Sequence, residues 1–144
     1  MVGSQVVFVN GEPDKSLYRK YKIKWQNIQD DPAAIGEVIK RRLTHPEWIF
    51  PQLMLIDGGK TQLGAAFEAL VAQDAVEKIA LLGLTKEKET IIVPKIQSGR
   101  IKEWKEIKLP RNSKTLQLLQ SIRDEAHRFA QSYYKVLHHK KITE

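Results

Sequence analysis

An aspartate that directly follows an unbroken apolar run is the sharpest chemical feature of this sequence. Leu53-Met54-Leu55-Ile56 runs into Asp57, and Gly58-Gly59-Lys60-Thr61 follows. A carboxylate at the carboxyl end of a buried strand stands where α/β folds place their ligands. Two glycines let a phosphate group approach the backbone closely. Lys60 adds positive charge at the start of the next helix, an end that already favours anions. The competing reading is structural: Asp-Gly is a common turn pair, and Asp57 could simply cap that helix. Gly59-Lys60-Thr61 also imitates the end of a P-loop. That motif needs a glycine five positions before Gly59, where Met54 stands inside the strand, so it is rejected.

A second charged cluster, Arg123-Asp124-Glu125-Ala126-His127-Arg128, lies in a long helical pattern. Arg123 and His127 are four apart and share a face with Leu119, Gln120 and Ala130, a face only partly apolar. Asp124 and Arg128 have the spacing of an ion pair. The structural alternative is a solvated surface. Asp30-Asp31-Pro32 reads as a helix start, because an aspartate cap accepts backbone N–H bonds and proline is tolerated in the first turn. A substrate or metal role for Asp31 is the other reading. Trp25, Trp48 and Trp104 are scattered and are expected in the core or at hairpin edges.

The elements that must position these residues follow from periodicity. Val6–Val9, then the Asn10-Gly11 turn, then Tyr21, Ile23 and Trp25 alternating with lysines, predict an opening antiparallel hairpin. Ile35, Val38, Ile39 and Leu43 form a helical stripe, with Lys40, Arg41 and Arg42 on its far side and His45-Pro46 as its end. Leu53–Ile56 suits a strand buried on both faces. Leu63, Phe67, Leu70 and Val71 stripe the next helix, and Ile79–Leu84 is another buried strand, which makes a parallel βαβ unit. Glu89–Pro94 and Ile101–Leu109 form a hairpin turning at Ser98-Gly99. Ser113 caps a last helix striped by Leu118, Ile122, Phe129, Tyr133 and Val136, with a basic tail after about residue 137 that is expected to fray. The predicted class is α/β, a mixed sheet flanked by helices, in one domain over residues 1–144.

Composition bounds the function. At 144 residues and 42% apolar, the chain can bury one real core. With no cysteine, disulfides and thiolate zinc sites are excluded, which suits a cytoplasmic location. No apolar run approaches the roughly 18 residues of a transmembrane helix, and the Met-Val-Gly-Ser start has no signal-peptide pattern. The net charge of +7 favours a polyanionic partner.

Several segments together resemble the UvrC family, the C subunit of the bacterial excision-repair endonuclease. They are Val6–Gly11 with Tyr18–Ile23, Asp30-Asp31 leading into Val38–Arg42, Leu55–Leu63 around Asp57, Leu109–Ser113, and Ile122–Ala130 around His127. They run in order over most of the chain. The resemblance implies an RNase H-like fold and a Mg²⁺- or Mn²⁺-dependent endodeoxyribonuclease that cuts 5′ of a DNA lesion. It places Asp57 and His127 as catalytic and metal-binding residues, and Asp31 as a further catalytic acidic position linked to activity. It leaves Lys60, Arg123 and Arg128 to hold DNA phosphates. Damaged DNA is the expected partner, with UvrB engaged through parts of the full protein outside this chain and no membrane. The family's first carboxylate belongs to an Asp-Ile-Ser-like strand before Val6, and no acidic residue precedes Glu12 here. The chain is therefore expected to be a fragment or truncated relative with little nicking activity alone. The alternative is a non-catalytic DNA-binding or repair-complex interaction module of the same fold.

Overall fold

The computed structural model describes residues 2–23 and 31–143, with side chains for 3–23 and 32–132. Two compact units emerge: Trp25–Pro110 forms one, and Met1–Lys24 with Arg111–Glu144 forms the other. Trp25 and Asp30 lie outside the described residues.

The Trp25–Pro110 unit is built on α1 (Asp31–Leu43), β5 (Leu53–Asp57), α2 (Lys60–Ala72), β6 (Ala80–Leu84), β7 (Ile91–Gln97) and β8 (Arg100–Ile107), numbered with β1–β4 of the other unit. One sheet has the strand order β5-β6-β7-β8. β5 and β6 are parallel, in the register Leu53↔Ala80 to Asp57↔Leu84, with α2 as their crossover. This is the expected βαβ unit. β7 and β8 run antiparallel and turn at Ser98 and Gly99, both with positive φ, as a two-residue hairpin requires.

The core of this unit joins Ile39 and Leu43 of α1, Ile56, then Leu63, Ala66, Phe67 and Leu70 of α2, and Leu81 and Ile92. Trp104 packs against it from β8. Each fully buried large side chain contributes about 1.5–3 kcal/mol. Two apolar expectations shift. Val71 is 49% exposed, and Ala66 takes its place because it falls three residues from Leu63 and four from Leu70. Leu53 is 42% exposed, so β5 is less enclosed than its unbroken apolar run implies; it ends the sheet with β6 as its paired neighbour.

Arg42 departs most from its expected solvent-facing position. It is 8% exposed, donates from Nη2 to the Ile49 carbonyl, and lies over the Trp48 ring at 5.3 Å. His45 stacks on the same tryptophan at 3.9 Å. The segment after α1 is thus folded back around a guanidinium, and Trp48 serves as its platform rather than as core filling.

The other unit pairs β1 (Val2–Gln5) with β4 (Arg19–Lys22), antiparallel, in the register Val2↔Lys22 to Gln5↔Arg19. A smaller ladder joins β2 (Phe8–Val9) to β3 (Glu12–Pro13) around Asn10 and Gly11, both with positive φ. The expected pairing of the opening segment with the Tyr21 region is present but displaced: Val2–Gln5 makes it, and Phe8–Val9 turns back locally, since Asn-Gly closes a tight hairpin by itself. Tyr21 donates from its hydroxyl to Gln5 Oε1 at 2.7 Å, and Gln5 Nε2 donates to the Leu17 carbonyl at 3.2 Å.

In the same unit α3 runs Lys114–Thr143, so its helical backbone continues through the basic segment expected to fray. Ser113 caps it, accepting from the Leu116 N–H at 3.3 Å. Among its described side chains Leu116 and Leu119 are the buried ones, whereas Leu118 is 38% exposed. The stripe is therefore rotated toward the side that also carries Arg123 and His127. The side chains of Tyr133 and Val136 lie outside the described ones.

Arg42→Ala is expected to lower stability by about 1.5–3 kcal/mol, the worth of a hydrogen bond to a charged group. Arg41 pairs with Glu37 at 3.5 Å on the surface, and its loss is expected to cost under about 0.5 kcal/mol. Urea unfolding midpoints of the two variants check this, and equal losses would refute the buried role of Arg42.

Candidate functional site

Asp57 ends β5 opposite Leu84 of β6. It is half-buried, and its Oδ1 is shielded from solvent. The chain then turns sharply. Gly58 has φ +151°, and its N–H donates to the Leu84 carbonyl at 3.1 Å. A Cβ on Gly58 would lie 2.7 Å from Gln62 Cγ, and one on Gly83 would lie 2.8 Å from both the Gly58 carbonyl oxygen and Leu63 Cδ1. Two glycines in different elements thus let the turn lie against β6.

The N-cap of α2 is Gly59, and the Gln62 side chain accepts from its N–H at 3.1 Å. Asp57 does not occupy the cap, although the chain does turn directly after it at Gly58. Lys60 opens α2 with its side chain 53% exposed and its Nζ 3.8 Å from Glu106 Oε1 on β8. Asp31 opens α1 in the same unit, with its side chain outside those described.

His127, Arg123 and Arg128 lie on α3 of the other unit. His127 is half-buried. Arg123 has a side chain only 13% exposed and donates from Nε to Asp124 Oδ1 at 3.3 Å. Arg128 donates from Nε and Nη2 to the two carboxylate oxygens of Glu125, at 2.5 and 2.9 Å. The expected Asp124–Arg128 pair is thus replaced by two others, because Glu125 has the longer reach and an i,i+3 position on the same face.

Glu125 also accepts from the Tyr18 hydroxyl at 2.7 Å, across 107 residues of sequence. Tyr18 packs edge-on against Phe129 at 5.0 Å, and Lys20 lies 5.1 Å over that ring. The Arg128 bond, then the tyrosine bond and the nearby cations, hold the Glu125 carboxyl down at about 2 against its burial. Burial first, and then the bond to Glu125, push the Tyr18 phenol up to about 12. This Tyr18–Glu125–Arg128 network had no local sequence signal, since its two ends come from opposite parts of the chain.

So Asp57 and Lys60 share one unit, and His127, Arg123 and Arg128 share the other. Among the described residues no three His, Asp or Glu side chains gather as a metal cluster. A hard divalent cation does not need three. Mg²⁺ keeps several waters and binds through one or two carboxylates with the substrate's phosphates. The donor chemistry of Asp57, an oxygen anion at a strand end, fits that class of ion.

Comparison with known proteins shows the family. A family model described as the UvrC RNAse H endonuclease domain matches residues 1–131. The chain is 47% identical over 143 residues to UvrABC system protein C of Dictyoglomus thermophilum, covering 98% of the chain and 22% of that protein. It is 44% identical over 135 residues to the protein of that name from Thermotoga petrophila, covering 93% and 22%. For Methanococcus maripaludis the figures are 40% over 144 residues, 98% and 26%. The chain therefore spans about a quarter of the length of these relatives.

The Glu125 network sets a pH dependence with a definite sign. A carboxyl depressed from 4.5 to about 2 stabilises the fold above pH 4.5, and that contribution is lost as pH falls toward about 2. A phenol raised from 10.0 to about 12 contributes below pH 10 and loses its contribution as pH rises through about 12. Glu125→Gln is expected to flatten the acid limb of stability against pH between those two carboxyl values, as measured by urea midpoints. An acid limb identical to the unmodified chain would refute the network.

Proposed function

This chain belongs to the UvrC RNase H endonuclease domain family, and from that premise we propose that it is the metal-dependent nuclease domain that makes the 5′ incision in nucleotide excision repair. The observation that carries the reading is the placement of Asp57. It stands at the carboxyl end of a parallel strand, outside the helix cap and directly before the Gly58 turn.

Asp57 in its unit and His127 in the other would each be a ligand for Mg²⁺ or Mn²⁺. Such an ion, when bound, neutralises phosphate charge and activates water. The remaining roles belong to the chain. Asp57 fixes the reacting end of the sheet. Lys60, at the N-terminus of α2, binds a phosphate oxygen through its ammonium and the helix end together. His127 holds or carries a proton near the leaving oxygen. Arg123 and Arg128 orient the backbone, exchanging Asp124 and Glu125 for phosphate. Asp31 supports the acidic site from the start of α1. Damaged DNA is the substrate, and UvrB is met through other parts of the full protein. The site works in the cytoplasm.

A non-catalytic DNA-binding module of the same fold is the second reading, favoured by the lack of a three-donor cluster among the described residues. Grafting separates the two. This chain would replace the matched segment of a UvrABC system protein C, and 5′ incision of lesion-bearing duplex would be measured. The graft is expected to cut, and Asp57→Ala or His127→Ala to lose on the order of a hundredfold or more in rate. Unchanged incision in Asp57→Ala would defeat the nuclease assignment.

A further inference from the structure

A groove of about 380 Å³ lies at the same end of the sheet as Asp57, lined by Thr85, Lys86, Lys88, Glu106 and Lys108 among others. Its position follows from register. Asp57 pairs with Leu84, the Gly58 N–H bonds the Leu84 carbonyl, and Thr85 is the next residue. Thr85 also lies against the turn itself, since a Cβ on Gly59 would come 4.0 Å from its Cγ2. The groove therefore begins one residue from the strand pair that presents the carboxylate.

Its walls are held in shape. The Thr85 N–H donates to the Thr90 carbonyl at 3.0 Å, and the Thr90 N–H donates back to Thr85 Oγ1 at 3.1 Å. This closes the β6–β7 loop on itself, with Glu89 in a left-handed conformation at φ +50°. Thr90 is 6% exposed, so the loop is anchored at its base while Lys86, Glu87 and Lys88 are exposed at its tip. Lys108 follows the end of β8 and is exposed. Glu106, the acid on that wall, faces Lys60 at 3.8 Å. Three groove lysines together with Lys60 thus outnumber Glu87 and Glu106, and Lys60 links the groove to the first turn of α2.

We infer that this groove carries the phosphodiester backbone of a DNA strand leaving the Asp57 strand end, with Lys86, Lys88 and Lys108 as its phosphate contacts. The inference rests on the nuclease reading of Asp57 and adds to it a track for the strand beside the cut. The chemistry is that of backbone positioning: exposed ammonium groups on a fixed loop bind phosphates without reading bases. Each such contact releases counterions, so it appears in the salt dependence of binding rather than in sequence preference.

The test is binding of a labelled DNA duplex to this chain without divalent metal, titrated between about 50 and 200 mM salt. Lys86→Gln/Lys88→Gln/Lys108→Gln is compared with Lys15→Gln/Lys78→Gln/Lys114→Gln, which removes the same charge elsewhere. The groove variant is expected to lose about two to three from the slope of log affinity against log salt, at about 0.9 per phosphate contact. The control is expected to lose less than one. Equal slopes in the two variants, or no binding by the unmodified chain at low salt, would overturn the groove. So would tighter binding of polyglutamate than of DNA. Failure of the nuclease reading shows elsewhere, as undiminished incision by the Asp57→Ala graft, so the two failures are distinguishable.

Discussion

The contact on which the Asp57 site depends is the close approach of the Gly58 turn to Gly83 of β6. Only hydrogen at the Gly83 Cα leaves room for the Gly58 carbonyl oxygen and for Leu63, each 2.8 Å from where a methyl carbon would stand. That approach sets the direction in which the chain leaves β5, and so the orientation of the Asp57 strand end. It sets the start of α2, because Gly59 must fall where Gln62 can reach its N–H. It also lets Leu63 enter the core with no exposure at all, tying the site to the apolar packing that stabilises the unit. A chemical position and a folding position are thus the same few atoms.

Three of the cations proposed to hold DNA already stand beside a carboxylate: Lys60 with Glu106, Arg123 with Asp124, Arg128 with Glu125. The Lys60–Glu106 pair is more than half exposed on both sides, and such pairs are worth about 0–1 kcal/mol. A polyphosphate can therefore exchange for Glu106 at small cost, while that acid keeps the lysine side chain in place before the exchange. Arg128 is the costliest to release, because Glu125 holds it with two bonds and is itself held by Tyr18. Lys60, more than half exposed and facing its partner at 3.8 Å, is the most readily released.

Much of the fold was legible in the sequence because its signals are local. The βαβ unit, the Ser98-Gly99 hairpin and the Ser113 cap each follow from residues within a few positions of one another, and each is present. The departures come where tertiary packing chooses among equal local options. Val71 and Leu118 fit a helical period as well as their buried neighbours do, but the neighbours face the interior. Arg42 reads as surface by type, yet Trp48 and the Ile49 carbonyl enclose it. Of the candidate site, Asp57 was legible as a strand-end carboxylate. The glycine contact behind it and the Tyr18–Glu125 bond were not, since both join residues distant in the chain.

The central claim is that Asp57 serves a metal-dependent phosphodiester chemistry. Paramagnetic broadening by Mn²⁺ tests it most directly, read at the Gly58 and Gly59 amides and the His127 imidazole in a resonance-assigned sample. The account predicts that these signals broaden at substoichiometric Mn²⁺ and that Asp57→Ala abolishes the effect at the Gly58 and Gly59 amides. Broadening confined to other residues, or broadening at Gly58 and Gly59 that persists in Asp57→Ala, would contradict it.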